Sequence, residues 1–346
     1  MKSLSSTPTI PLTLMPARLP LPKELYLEST TRCNENCEHC ARTHLSRERD
    51  RDLSLAEVRQ IADQFPVLER VVLHGLGEPL MNRELPAIIT YLRARGTHVL
   101  FNSNGLLLNE QRGRALIEAD LNELRISLDG ANPRTYAYIR GVNEKALPRI
   151  IKNLAAFAKL KRSLGAERPQ TSLWFTAMRE NFEELPDLVD LAVQAEIPEV
   201  HVQRFTYFGK GLATEDQTLY RRAQEHELAL LRNVEERCAA HGIAFTAAGT
   251  TTPEAYLQGG RADVARPWAA CRRPYTLAYI TAHGNVFTCC LAPFNPGPAS
   301  EKVLGNVFEE PFEEIWNGKR YQSFRGAFES DTPRAQCAGC GSAWSL

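Results

Sequence analysis

Six short runs along the chain alternate apolar and polar positions with the two-residue period of a half-buried strand: "ELYLEST", "RVVLHGLG", "HVLFNSNG", "ELRISLD", "SLWFTAM" and "EVHVQRF". Between them, apolar residues recur every three or four positions, the period of a helix with one buried face. "SLAEVRQIADQF", "RELPAIITYLRARG" and "ALPRIIKNLAAFAKLKRSL" are the clearest examples. Strand followed by helix, repeated through the chain, predicts parallel β/α units with helices covering the outside of the sheet. A closed barrel takes eight such units. The expected fold class is therefore α/β: a partial (β/α)6 TIM-like barrel, open on one side, with a small C-terminal α+β domain.

The pattern breaks at both ends. "MKSLSSTPTIPLTLMPARLPLP" is cut by prolines and holds no continuous apolar run, so residues 1–22 are expected to form a flexible leader rather than a signal peptide. After the sixth strand, "EDQTLYRRAQEHELALLRNVEERCAAHG" reads as a helix leading away from the barrel. Beyond it comes a Pro- and Gly-rich segment with one hairpin signal and two short helical runs. The expected domains are the leader at 1–22, the barrel at 23–245 and the C-terminal domain at 246–346.

Composition mainly excludes. With 346 residues, 43% hydrophobic and 24% charged, the chain can bury a large core. A formal net charge of +0 supplies no field to draw nucleic acid or an anionic membrane. No apolar run nears the roughly 20 residues of a spanning helix. The expectation is a cytoplasmic protein with no nucleic-acid or membrane partner. Thiols stay reduced there, so clustered cysteines point to metal or catalysis before disulfides.

Three of the nine cysteines, Cys33, Cys37 and Cys40, crowd into the loop after the first strand. Three thiolates can hold three irons of a cubane and leave the fourth iron open, whereas a structural zinc normally takes four protein ligands. Cys238 stands alone on a helix and reads as a buried apolar thiol. Other polar residues collect at strand ends, where parallel α/β folds bind ligands. They include His74, Gly77 and Glu78 after the second strand, and Asn104 after the third. Ser127 and Asp129 share one face of the fourth. Arg140 carries a fixed fork suited to a carboxylate. On the sixth strand His201, Gln203 and Phe205 share one face, and Val202, Arg204 and Thr206 the other. Alternation alone leaves open which set lines the barrel.

Cys33, Cys37 and Cys40 in this setting resemble the cluster loop of the radical S-adenosylmethionine (SAM) enzymes, with His39 where an aromatic is usual. "HGLGEPL" resembles the family's GGE segment, with Leu76 in place of the first glycine, and "FNSNG" its asparagine-glycine turn. The resemblance implies a [4Fe-4S] cluster on the three cysteines. SAM would chelate the open iron and be cleaved by one electron to a 5′-deoxyadenosyl radical. It also implies SAM contacts from His39, Gly77, Glu78, Asn104, Ser127, Asp129 and Arg140, and reduced ferredoxin or flavodoxin as electron donor.

Near the end, "CRRPYTLAYITAHGNVFTCC" reads as a hairpin with glycine at its turn, and a "CAGC" follows. This segment resembles twitch, the shortened relative of the SPASM module. It implies an auxiliary [4Fe-4S] cluster on Cys271, Cys289, Cys337 and Cys340. Four thiolates leave no open iron, which suits an electron relay or a structural role. Two alternatives stay open: Cys290 in place of Cys289, and a zinc ribbon on the same thiols. Strand alternation should point Cys289 and Cys290 apart. The favoured reaction is net oxidation of a small natural-product or cofactor precursor, the auxiliary cluster relaying the electron. A peptide or protein maturase and a non-catalytic iron–sulfur redox sensor are the other readings.

Overall fold

Each strand of the computed structural model turns one side toward the helices and the other toward the interior. The structure describes residues 18–46, 49–247, 252–258, 268, 271–295 and 298–338. The six expected strands are β1 (Glu24–Leu27), β2 (Arg70–Val72), β3 (His98–Ser103), β4 (Glu123–Ser127), β5 (Gln170–Ala177) and β6 (Glu199–Arg204). Each pairs in parallel with the next. Leu25, Val71, Phe101, Ile126, Phe175 and Val202 are buried in the main core under the helices. Residues of opposite parity, among them Asn102, Ser127, Trp174 and Gln203, line an interior cavity.

The covering helices are α1 (Ala41–His44), α2 (Leu55–Ala62), α3 (Leu85–Ala94), α4 (Glu110–Glu118), α5 (Pro133–Arg140), α6 (Ala146–Ser163), α7 (Leu185–Gln194) and α8 (Glu225–Ala240). Their apolar stripes supply the other half of the core: Val58 and Ile61, Ile88 and Leu92, Ile150 and Leu154, Leu188 and Val189. α2 starts at a capping box. The Ser54 hydroxyl accepts from the Glu57 N–H at 3.2 Å, and the Glu57 carboxylate accepts from the Ser54 N–H at 2.9 Å. A cap of this kind stabilises by about 1 kcal/mol.

Two additions extend the sheet. β7 (Ala244–Ala247) pairs in parallel with β6 and runs across the expected division between residues 245 and 246. At the opposite edge, β8 (Leu277–Ile280) lies parallel to β1, with Glu24 opposite Leu277 and Leu27 opposite Ile280. β9 (Asn285–Phe287) and β10 (Gly305–Asn306) follow in antiparallel pairing. The ten strands run in the order β10-β9-β8-β1-β2-β3-β4-β5-β6-β7. Barrel and C-terminal module thus share one sheet. Buried Glu28 fastens the seam: its N–H donates to the Ile280 carbonyl at 2.9 Å, Oε2 accepts from the Ala282 N–H at 3.1 Å, and Oε1 accepts from the Leu76 N–H at 2.7 Å.

The end of the expected leader, residues 1–22, is tied down at residues 19 and 20. The Leu19 N–H donates to Asn317 Oδ1 at 2.8 Å, and Trp316 Nε1 donates to the Pro20 carbonyl at 3.0 Å, so this stretch docks on the helix Phe312–Asn317. Residues 1–17 lie outside the described residues. No helix among the described residues is long and apolar enough to cross a membrane.

Candidate active site

Cys33, Cys37 and Cys40 line a cavity of about 310 Å³ together with residues from the C-terminal ends of the barrel strands. All three are free thiols; Cys37 is buried and the other two are half-buried. Burial pushes the Cys33 thiol up to about 11 and raises Cys37 and Cys40 as well. Alone they are neutral at pH 7. A cationic metal centre would ionise them outright, so the donor set fits an iron–sulfur group.

Behind the loop lies a buried charge network that the sequence reading did not single out. Glu35, 3% exposed, accepts from the Tyr136 hydroxyl at 3.2 Å and from Arg140 Nη1 at 3.4 Å. The Cys37 thiol donates to Glu35 Oε2 at 3.6 Å, and Arg140 Nη1 also reaches Cys37 Sγ at 3.7 Å. Arg140 Nη2 stands 2.9 Å from Asp129 Oδ2 as an ion pair without an aligned N–H, and it and Nε have no hydrogen-bond partner among the described residues. Burial opposes the guanidinium charge, but Asp129, Cys37 and Glu35 outweigh it. Arg140 therefore serves two of the chain's own carboxylates.

Asp129 Oδ1 accepts from the Thr176 N–H at 2.8 Å, and Oδ2 lies 3.4 Å from His39 Nε2. Burial lowers His39 to about 4, with Asp129 opposing, so the ring is neutral at pH 7. Its Nδ1 is buried without a partner among the described residues. Arg140 and His39 both line the cavity. Orphaned buried nitrogens beside a cavity are what a polar ligand would satisfy.

Across the cavity, the Glu78 N–H donates to the Arg32 carbonyl at 2.7 Å. Glu78 Oε1 accepts from the Leu80 N–H at 3.0 Å and the Ser103 hydroxyl at 2.8 Å, and Oε2 from the Asn104 N–H at 2.7 Å. Burial still pushes the carboxyl up to about 7. Gly77 lines the cavity, and a Cβ on it would also collide with the backbone carbonyls of Thr30 and Arg32. Its missing side chain is thus demanded by the cysteine loop itself. Asn104 Nδ2 donates to Asn34 Oδ1 at 2.8 Å, a second tie to that loop. Ser127 lines the cavity as its strand position predicts.

The far wall answers which face of β6 is inside. His201 stacks on Trp174 with ring centroids 4.0 Å apart, and its Nδ1 pairs with the Thr246 hydroxyl at 2.8 Å; Val202 packs in the core. At the C-terminal end of β6 and just past it, Gln203, Arg204, Phe205 and Thr206 all line the cavity. Trp174 is sandwiched, with the Arg125 guanidinium 4.3 Å from its ring centre. His74 lines the cavity too, its ring 5.3 Å from Tyr26. Burial holds His74 down to about 3, so it is a neutral wall at pH 7.

The second cysteine group sits beside this chamber. The β8–β9 turn ends at Gly284, at φ 83°, where a side chain would strike Asn306 and Phe308. β9 stops at Phe287, so Cys289 and Cys290 lie beyond the pleat and alternation does not separate them. Both pack against Tyr279, Phe287 and Ala292. Arg273 Nη1 donates to Cys290 Sγ at 3.6 Å. Asn295 Nδ2 donates to the Gln336 carbonyl at 2.7 Å, bringing the Cys337 segment against the Cys289 segment. Cys271 and Cys337 are half-buried on the main core; Cys340 lies outside the described residues. Leu291 and Phe294, just past Cys290, line the same cavity as the first three cysteines. Cys238 is fully buried in α8, as expected.

A parallel α/β partial barrel, three thiols at its mouth and a cysteine-bearing hairpin on its first strand define one class. A model of the radical SAM superfamily matches residues 27–192, and a model of the SPASM iron–sulfur cluster-binding domain matches residues 271–341. The chain belongs to the radical SAM superfamily and carries that C-terminal domain. It is 30% identical over 318 residues to an Fe-coproporphyrin III synthase of Methanosarcina barkeri, spanning 83% of this chain and 71% of that protein. It is 26% identical over 320 residues to a PqqA peptide cyclase of Gluconobacter oxydans, spanning 91% and 82%. Among solved structures, Streptococcus suis SuiB bound to S-adenosylmethionine shares the fold, with TM-score 0.65 and 18% identity over 89% of this chain and 68% of that one.

Proposed function

We propose that this protein reductively cleaves SAM and abstracts hydrogen from a small natural-product or cofactor precursor, with net oxidation. The observation that carries the reading is the shared chamber. The three-cysteine loop and the residues just past Cys290 line one cavity, so an electron left on a substrate there has a short exit to the second cysteine group.

Cys33, Cys37 and Cys40 would hold the first cluster, with one iron left for SAM. Cluster and SAM, when bound, supply the 5′-deoxyadenosyl radical that removes the substrate hydrogen. A carboxylate offers about four acceptor positions, and Glu78 spends three on Leu80, Ser103 and Asn104. One remains for the SAM ammonium, beside Gly77. Ser127 and Asp129 suit the ribose or the methionyl head, and Asn104 props the loop. Arg140 pairs with Glu35 and Asp129 behind it, and its orphaned Nε, with His39 Nδ1, is available to the ligand. The substrate faces the opposite wall: Gln203, Arg204 and Thr206 for polar groups, Phe208, Leu291 and Phe294 for an apolar body. Cys271, Cys289, Cys337 and Cys340 would hold the auxiliary [4Fe-4S] cluster as electron relay. A cytoplasmic ferredoxin or flavodoxin would feed the first cluster.

Similarity to a PqqA peptide cyclase supports a second reading, a peptide substrate. Anaerobically reconstituted protein with dithionite, SAM and deuterated candidates of both kinds separates them. The expected result is 5′-deoxyadenosine carrying deuterium from a small-molecule candidate. Deuterium from a peptide would select the second reading. SAM binding with no cleavage under any condition would leave a redox sensor.

A further inference from the structure

Arg273 lies beside the second cysteine group, against Cys290. It opens the short helix Arg273–Thr276 that leads into β8, two positions after Cys271. The helix is tied at its next residue by Arg325 Nε, which donates to the Pro274 carbonyl at 3.0 Å. Its Nη1 donates to Cys290 Sγ at 3.6 Å, and Cys290, Cys289 and Cys271 are among the groups its charge meets. Tyr26 is another, and the Tyr26 ring lies 5.3 Å from His74 on the chamber wall. One cation therefore touches Cys290 and lies within electrostatic reach of Cys289, Cys271 and Tyr26.

A guanidinium keeps its charge at every working pH. Fixed beside cluster thiolates, a positive charge stabilises the reduced state of the cluster, one unit more negative, over the oxidised state. Net charge, hydrogen bonds to sulfur and exposure are the protein's levers on such potentials. We propose that Arg273, anchored on Cys290, raises the reduction potential of the C-terminal cluster and so equips it to accept the substrate's electron. The balance is one hydrogen atom from substrate to the adenosyl radical, then one electron from the substrate radical to this cluster and one proton to solvent. The electron leaves on a carrier of the ferredoxin or flavodoxin kind. The inference rests on the oxidative reading above, and makes Arg273 a positioning residue that touches no substrate.

The test is a redox titration followed by electron paramagnetic resonance, on the full chain with Cys33, Cys37 and Cys40 all changed to Ala so that only the C-terminal site contributes. In that background Arg273→Gln is expected to lower the reduction equilibrium constant at least tenfold, about 59 mV for one electron. Arg273→Lys, which keeps the charge, should recover more than half of the shift. A C-terminal site that holds zinc, or no iron, in the parent background would sink the oxidative reading itself. With a four-iron signal in the parent, an unmoved potential in Arg273→Gln overturns only the role of Arg273. Equal shifts in the Gln and Lys variants, or loss of iron from both, would assign the residue to structure and overturn the proposal as well.

Discussion

Replacing Glu78 by glutamine changes one oxygen to an amino group, and the surroundings make that change costly in either orientation. An amino group at Oε2 faces the Asn104 N–H, 2.7 Å away; at Oε1 it faces the Leu80 N–H at 3.0 Å and the Ser103 hydroxyl at 2.8 Å. The hydroxyl can rotate. The backbone N–H groups cannot, so one is left without its acceptor in a buried site, at a cost of about 1–3 kcal/mol. That cost is present with or without SAM and should appear as lower stability in denaturant unfolding. SAM affinity changes through the lost charge facing its ammonium. A hydrogen bond to a charged group is worth about 1.5–3 kcal/mol, so at about 1.4 kcal/mol per tenfold SAM should bind about tenfold to a hundredfold more weakly, as titrated on reconstituted protein whose iron is measured in the same sample. Iron should stay at the wild-type level, because Glu78 is not a thiol ligand.

The pH dependence follows from burial, which raises this carboxyl from 4.5 to about 7. In the free protein, its contribution to stability is complete below the unfolded value and is lost as pH rises through 7. SAM binding runs the other way, because an ammonium selects the carboxylate. Wild-type affinity should fall as pH drops below about 7, by up to tenfold per unit, while Glu78→Gln should be flat. An affinity within twofold of wild type, or equal pH slopes in the two proteins, would refute this reasoning.

Three further substitutions probe other parts of the account. Gly77→Ala drives a Cβ into two backbone carbonyls that cannot rotate away; overpacking of this kind costs about 1–3 kcal/mol, and iron at the first site together with SAM binding should drop while the C-terminal cluster signal persists. Arg140→Met strands buried Glu35 and Asp129 without their cation. Breaking such a pair costs about 3–5 kcal/mol, and denaturant unfolding showing less than 1 kcal/mol would contradict the network. Cys238→Ala removes a thiol buried in the core of α8, so iron and sulfide should be unchanged, with a stability loss of about 1 kcal/mol.

The β/α repeat was legible because alternation and helical period are local, and six strands fall where those periods put them. β7 escaped because four residues, "AFTA", are too few for a period to stand out. The pairing of β8 with β1 joins residues some 250 positions apart, and no local pattern encodes it. At the site, the three-cysteine spacing carried its own chemistry. Glu35 did not: a carboxylate in "NENCEH" reads as solvated, and only packing under Tyr136 and Arg140 buries it. Trp174 likewise reads as an ordinary strand residue until its face is known. Arg140 was matched to a ligand carboxylate, whereas the fold gives it two of its own. The rule that neighbouring strand residues diverge did not reach Cys289 and Cys290, because the strand stops first.

If the loop of Cys33, Cys37 and Cys40 leaves one iron for SAM to occupy, the SAM amino nitrogen must bond to that iron. Electron–nuclear double resonance on the reduced protein, with SAM carrying ¹⁵N in its amino group, reads that bond directly. A ¹⁵N coupling is expected that appears with SAM and is lost when any of the three cysteines is changed to alanine. A reduced cluster whose spectrum ignores labelled SAM, or a loop that holds zinc, would contradict it.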